Sequence, residues 1–191
     1  MNSTADATHR QDAEAEIREA ALTELRSMVS ACMQCGTCTA TCPNSESMDL
    51  TPRRMWRALL FGDTDMVLQS KSFYLCSSCY ACTLRCPRGL PLTRAMAGLK
   101  RFAARENNSA LKKKGAFYRV FTDNIRRYGR VQETALMTRY FIAARDPALP
   151  FAYTPLGLKL MRKGKLHPVD RSGAGKLEAI FNKVEQMEGR P

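Results

Sequence analysis

The sequence predicts an all-α protein. Apolar residues recur at helical spacing in several segments, and no segment alternates apolar and polar residues as a half-buried strand does. The second observation is an internal repeat, because a cysteine-rich run at residues 32–43 recurs at 76–87 with a constant offset of 44 residues. Each run is followed within about ten residues by a helix start. The repeat therefore indicates one structural unit that is used twice.

The elements of the N-terminal half follow from periodicity and from helix start and stop signals. Residues 1–12 are polar and predict a flexible tail. The helix after them extends from about residue 12 to 31 and has one apolar face, formed by Ile17, Ala21, Leu25 and Met28. Thr51 followed by Pro52 is a helix start, and this helix is expected to stop at Gly62. A short helix near 65–69 leads to the second cysteine run.

The C-terminal half is predicted to contain further helices, with breaks at glycine and proline. The expected helices lie at about 91–105, 116–128, 131–145, 155–163 and 175–188. We predict one α-helical domain over 13–145, and 146–191 as an extended, proline-punctuated C-terminal arm.

Composition excludes two classes of protein. The longest apolar runs are far shorter than the roughly 20 residues of a membrane-spanning helix, so no transmembrane segment is predicted. The first 16 residues have neither a basic start nor an apolar stretch, unlike a secretory signal. We therefore expect a cytoplasmic protein, whose thiols stay reduced and free to bind metal.

The positive charge of the chain is concentrated in its C-terminal part. The formal net charge is +12, with −2 in residues 1–86 and +14 in 87–191. Such a surface could meet nucleic acid, an anionic membrane or an acidic protein. The aromatic residues beside the basic clusters have the spacing of a helical core, at 117, 118 and 121. We therefore favour an acidic partner protein and predict no nucleic-acid binding.

All eight cysteines lie in the stretches CMQCGTCTATCP and CSSCYACTLRCP. Disulfides are disfavoured by the close spacing and the reducing compartment. Zinc is disfavoured because three successive Cys-x2-Cys steps supply too many thiolates for one tetrahedral ion. The pattern Cys-x2-Cys-x2-Cys-x3-Cys-Pro is the bacterial iron–sulfur pattern, in which the fourth cysteine ligates the other cluster. We therefore predict two [4Fe-4S] clusters.

The same rule assigns the ligands. The first cluster is expected on Cys32, Cys35, Cys38 and Cys86, and the second cluster on Cys76, Cys79, Cys82 and Cys42. The alternative, in which each run ligates its own cluster, stays open at this point. No catalytic residue is predicted, because neither His9 nor His167 belongs to a catalytic constellation and no glycine-rich nucleotide-binding loop occurs. The clusters are therefore interpreted as electron carriers, with a purely structural role as the alternative.

The chain resembles a known family over roughly residues 20–168. The order CMQCGTCTATCP, TPRRMWRALLFG and YLCSSCYACTLRCPRGL, with RRYGRVQETALM and LGLKLMRKGKLHP downstream, resembles HdrC, the C-type iron–sulfur subunit of heterodisulfide reductase, and its bacterial relatives. The resemblance implies that residues 13–145 form an α-helical ferredoxin fold with two [4Fe-4S] clusters. It also implies an electron conduit between an HdrA-like subunit, which carries flavin and iron–sulfur clusters, and an HdrB-like catalytic subunit, which carries out thiol or disulfide chemistry.

Some alternatives remain. The arm at 146–191 is a candidate contact to other subunits, or it folds onto its own helices. The chain could also be the iron–sulfur subunit of another flavin dehydrogenase complex, of the glycolate or glycerol-3-phosphate type, or a stand-alone ferredoxin-like carrier. In each of these cases the chain has no chemistry of its own.

Overall fold

A computed structural model describes residues 3–187, and within this range it contains helices and no β-strand. The α-helices are α1 Ser3–Val29, α2 Thr37–Ala40, α3 Pro52–Leu60, α4 Thr64–Gln69, α5 Ala81–Leu84, α6 Leu92–Arg105, α7 Ser109–Lys114, α8 Ala116–Tyr128, α9 Glu133–Ala144, α10 Ala148–Arg162 and α11 Glu178–Met187. A short 3₁₀-helix spans Ser45–Ser47. The predicted all-α class is confirmed.

The chain divides into two compact units, Met1–Lys112 and Lys113–Pro191. The sequence predicts a boundary after residue 145 instead. The difference arises because α8 and α9 pack against each other and α11 packs on α8, which makes these helices a unit of their own. Both cysteine runs lie in the first unit.

Two helices begin earlier than predicted. Helix α1 begins at Ser3, nine residues before the predicted start, because residues 3–12 contain no glycine or proline to stop it. The flexibility of residues 1–12 stays a prediction, and residues 1 and 2 lie outside the described residues. Helix α10 begins at Ala148, whereas the sequence predicts a start at Pro155. This proline lies in the interior of the helix. A helix can continue through proline at the loss of one backbone hydrogen bond.

The core of the first unit lies between α1, α3 and α6. Its fully buried side chains include Leu22, Val29, Met55, Trp56, Leu59, Phe73 and Leu99. The predicted apolar face of α1 is confirmed for Leu25, but Ile17 is 62% exposed. Gly98 allows α1 to approach α6 closely, since a Cβ atom at this position would lie 2.5 Å from Cδ2 of Leu25.

Gly98→Leu should therefore destabilise the first unit. Overpacking of a filled interface costs about 1–3 kcal/mol. We expect a lower midpoint of anaerobic urea unfolding, followed by far-ultraviolet circular dichroism. Gly157→Leu is the matched control, because the space that a Cβ would enter at this helical position is open. An equal change in both variants would contradict the close packing of α1 on α6.

Side-chain hydrogen bonds connect the chain after the first cysteine run to the chain before the second. Asn44 donates from Nδ2 to the carbonyl oxygen of Leu75 over 2.7 Å. The Asp49 carboxylate accepts hydrogen bonds from the Ser72 hydroxyl at 2.6 Å and from the Lys71 N–H at 3.0 Å. These contacts hold the segments that carry the two runs side by side.

The Asp49 carboxylate should make the stability of the first unit depend on pH. Burial alone raises the pKa of Asp49, but the hydrogen bonds from Ser72, Lys71 and Leu50 outweigh it and hold the pKa below its ordinary value. A depressed folded-state pKa gives stability that is present above the unfolded value and lost as the pH falls through the folded value. We expect the midpoint of urea unfolding to decrease when the pH is lowered below about 4. In Asp49→Asn this decrease should be smaller. The same acid sensitivity in both proteins would exclude Asp49 as its source.

The second unit is held by a buried amide and by a surface ion-pair group. Asn124 is fully buried, and its side chain accepts from the Gln132 N–H at 2.8 Å across the break at Gly129, which lies in the left-handed region at φ 75°. Arg126 on α8 pairs with Glu178 at 2.6 Å and Glu185 at 2.5 Å on α11. These contacts connect α8 to the turn before α9 and to α11.

Candidate iron–sulfur sites

The two cysteine runs have the same backbone conformation. Gln34 and Ser78, which are 44 positions apart, have φ of 58° and 56°, and Gly36 and Tyr80 have φ of 86° and 63°. Each run then enters a one-turn helix at the equivalent position, α2 or α5. Left-handed residues other than glycine cost roughly 1–3 kcal/mol and persist where the surroundings require them. The repeat seen in the sequence is therefore a repeat in structure.

The first cavity is lined mainly by the first run. Its cysteines are Cys32, Cys35, Cys38 and Cys86. Three of these belong to the first run, and the fourth is the last cysteine of the second run. The side chains of Arg53 and Arg88 lie at the same cavity.

The second cavity mirrors the first. Its cysteines are Cys42, Cys76, Cys79 and Cys82, together with Cys38, which lines both cavities. The last cysteine of the first run thus joins the three x2-spaced cysteines of the second. Cys38 belongs to the wall between the two cavities, so the cavities are neighbours.

The geometry explains the crossing. Within each run the two left-handed residues and the one-turn helix direct the first three cysteines into one cavity. The fourth cysteine lies beyond the one-turn helix, which changes the direction of the chain before it. The proline that follows each fourth cysteine cannot donate a backbone hydrogen bond, so the helix does not continue.

The surroundings of the buried sulfurs favour the protonated thiol, while those of the exposed Cys35 favour the thiolate. Burial, with the neighbouring Cys32 and Cys82, raises the pKa of Cys38 to about 11. Burial also raises the pKa of Cys42. A hydrogen bond from the Thr37 side chain lowers the pKa of Cys35, which lies at the exposed end of the first cavity. Metal binding must therefore displace protons from the buried thiols, and iron supplies the positive charge that does so.

Several side chains around the sulfurs are not recognisable from the sequence. Thr93, on α6, approaches Cys82 to 3.7 Å between Oγ1 and Sγ, and Nζ of Lys100 donates to the carbonyl oxygen of Cys76 over 2.8 Å. Both residues lie outside the cysteine runs. Thr93 and Lys100 are seven residues apart, so a helix brings both to one face. This spacing is the only signal in the sequence that could have placed them on the face of α6 toward the second run.

The remaining sequence predictions concern groups away from the cavities. His9 and His167 are exposed. Within residues 3–187, no three histidine, cysteine or carboxylate side chains lie close enough to hold a single metal ion. No helix in the described part of the chain has the length and apolar character needed to cross a membrane. The aromatic residues contact one another, since Phe117 stacks on Phe121 at 5.9 Å and meets Tyr140 edge-on at 5.5 Å. They do not form the core that their spacing predicts, because Phe117 and Tyr118 are 41% and 38% exposed.

Comparison with known proteins identifies the domain that carries the cysteines. Residues 31–91 match the family model of the 4Fe-4S dicluster domain. This segment contains all eight cysteines, which line both cavities. The match confirms that the predicted cofactor is of the [4Fe-4S] type.

Curated relatives extend the similarity. The chain is 40% identical over 83 residues to the iron–sulfur C 2 subunit of the CoB–CoM heterodisulfide reductase of Methanocaldococcus jannaschii, which is 44% of each chain. It is 38% identical over 82 residues to the iron–sulfur C subunit of the same enzyme of Methanopyrus kandleri, 43% of each chain. It is 42% identical over 78 residues to the C subunit of the ferredoxin:CoB-CoM heterodisulfide reductase of Methanosarcina mazei, 41% of this chain and 48% of that protein.

The matched part spans less than half the length of each of these relatives. The family-model match, residues 31–91, includes both cysteine runs and the helices α3 and α4 between them. Over this segment, the resemblance to the C-type iron–sulfur subunit of heterodisulfide reductase that the sequence indicates is confirmed.

Proposed function

We propose that this chain is the electron-transfer subunit of a heterodisulfide reductase-like complex. In this proposal an α-helical ferredoxin fold, predicted over residues 13–145 and carrying both cysteine runs in the unit Met1–Lys112, holds two [4Fe-4S] clusters. Electrons pass through them between an HdrA-like subunit that contains flavin and iron–sulfur clusters and an HdrB-like subunit that acts on thiols or disulfides. The chain itself contributes ligands, insulation and docking surfaces, and catalysis belongs to its partners.

One observation supports this proposal more than any other. Each of two neighbouring cavities is lined by three cysteines of one run and the last cysteine of the other, and Cys38 lines both. Cross-ligation would make each cluster depend on both runs. It would also keep the clusters as close as electron transfer between them requires. When bound, the clusters supply one-electron redox chemistry.

The residues around the cysteines have roles that follow from their contacts. The Asp49 and Asn44 hydrogen bonds hold the two runs in register, so that the fourth cysteine of each run reaches the other cavity. Trp56 and Met55 on α3 are fully buried in the core cluster that also contains Cys38, which limits the access of water to this cysteine. Lower access of water keeps the cluster from hydrolysis and sets its potential.

The relatives support a place in a larger assembly, because each is named as a subunit of a heterodisulfide reductase. The experiment is anaerobic purification of the tagged full-length chain from its native cells, followed by mass spectrometry of the proteins that accompany it. We expect a flavoprotein and a cysteine-rich subunit. A flavin dehydrogenase without thiol reductase activity would instead indicate a complex of the glycolate or glycerol-3-phosphate type. A monomer with full cluster content would indicate a stand-alone carrier.

A further inference from the structure

The two cysteine runs share a backbone but differ in the side chains that reach the sulfurs. Equivalent positions, 44 residues apart, carry Gln34 and Ser78, and Thr37 and Ala81. The repeat therefore contains its own comparison, since the same conformation presents different hydrogen-bond donors to two equivalent sites.

In the first run two of the three x2-spaced cysteines have a side-chain hydrogen-bond partner. Gln34 donates from Nε2 to Sγ of Cys32 over 3.4 Å. The Thr37 hydroxyl lies 3.4 Å from Sγ of Cys35.

The second run has fewer side-chain hydrogen-bond donors near its sulfurs. Alanine at 81 has no hydroxyl, and within residues 3–187 Ser78 forms no hydrogen bond to sulfur. Thr93 approaches Cys82 to 3.7 Å between Oγ1 and Sγ, and its hydroxyl also lies 2.9 Å from Oγ1 of Thr83. The second run therefore has one such contact to a sulfur within residues 3–187, where the first run has two.

The first cavity also has more cationic side chains near it than the second. Arg53 and Arg88 line the first cavity. The second has Lys100, whose Nζ is bonded to the Cys76 carbonyl oxygen at 2.8 Å. Reduction adds negative charge to a cluster and its thiolates, and hydrogen bonds and cations stabilise that charge. More donors therefore mean a higher reduction potential.

We infer that the first cluster has the higher reduction potential because Gln34 and Thr37 donate hydrogen bonds to its cysteine sulfurs. At equilibrium the first electron that the chain accepts therefore rests on the first cluster. Gln34 and Thr37 act through the ligands and are tuning residues, not ligands. This inference rests on the proposed function, because it requires two [4Fe-4S] clusters.

The test exchanges the donors between the runs. The variant Gln34→Ser/Thr37→Ala gives the first run the residues of the second, and Ala81→Thr gives the second run a hydroxyl of the first. Thr41→Ala is the matched control, since the Thr41 hydroxyl donates to the Thr37 carbonyl oxygen at 2.9 Å and not to sulfur. The anaerobically purified full chain is poised at a series of potentials, and reduced clusters are counted by electron paramagnetic resonance.

The wild type should be reduced in two steps. Gln34→Ser/Thr37→Ala should lower the upper step, so that at the wild-type midpoint the ratio of reduced to oxidised first cluster falls about tenfold, which is 59 mV for one electron. Ala81→Thr should raise the lower step, and Thr41→Ala should move neither. If the donor-removal variant lowers the lower step instead, the order of the clusters is the reverse of this inference, while the two-cluster function stands. If the wild type lacks two cubane signals, this inference and the proposed function both fall.

Discussion

Cys42→Ala should abolish the second cluster and leave the first, while Cys86→Ala should abolish the first and leave the second. The reason is that Cys42 lines the cavity of Cys76, Cys79 and Cys82, and Cys86 lines the cavity of the first run. In the proposed ligand sets each of these residues is one of the four cysteine ligands of its cluster. A cubane that keeps only three protein ligands is lost or degraded to a cluster with fewer irons. Each single variant should retain about half of the [4Fe-4S] content of the wild type.

Double variants determine which cluster each cysteine serves. With crossed ligation, Cys42→Ala/Cys76→Ala removes two ligands of one cluster and should retain about half of the wild-type cubane content. Cys42→Ala/Cys32→Ala removes one ligand from each cluster and should retain almost none. Ligation within each run reverses these two results. Thr41→Ala controls for disturbance of the loop. Iron, sulfide and the electron paramagnetic resonance signal are measured on anaerobically purified protein.

Glutamate at two exposed apolar positions of α10 should release the proposed partner subunits. Phe151 and Leu158 lie two turns apart on one face and are 79% and 57% exposed, and no residue of this helix is buried. The stretch 147–169 contains no acidic residue and includes Lys159 and Arg162, which suits an acidic partner with an apolar centre. Loss of two buried apolar side chains should weaken the complex about a hundredfold. Co-purification of the partners measures it.

The control for this variant is Ile180→Glu/Met187→Glu on α11, which changes two apolar residues that are 60% and 77% exposed in the same unit. We expect the control to retain the partners and both variants to retain full cluster content. Loss of clusters in Phe151→Glu/Leu158→Glu would show a structural role for α10. Retention of the partners in that variant would exclude this face as the contact proposed for 146–191.

The cysteine spacing carries most of what could be predicted about the site. Four ligands at fixed x2 and x3 spacing, repeated with both prolines, restrict the chemistry more than any property of the rest of the chain. The all-α class and the core position Leu25 also follow from the sequence, because helical periodicity indicates which face of a helix is buried. The break at Gly129 is predictable from residue type, since its left-handed conformation requires glycine or a strained residue.

The boundary of the first unit and the surroundings of the sulfurs could not be predicted. Helices 116–128 and 131–145 have ordinary amphipathic patterns, which show that each buries one face but not which helix covers it. Their packing against each other is set by tertiary contacts, which these patterns do not show. Thr93 and Lys100 lie on α6, which is distant in sequence from the sulfurs they approach. The sequence places the start of α10 too late because Pro155 indicates a start by local rules, while the helix continues through it.

The most direct test of the central claim is the metal and sulfide content of the anaerobically purified full-length chain, measured together with native mass spectrometry. Two [4Fe-4S] clusters on eight cysteines predict about eight irons and eight acid-labile sulfides per chain, with no zinc. The native mass should exceed the polypeptide mass by two cubane cores. About four irons would mean that a single cluster occupies one of the two cavities. Zinc without sulfide would contradict the account, because the cysteines would then form tetrahedral sites that carry no electrons.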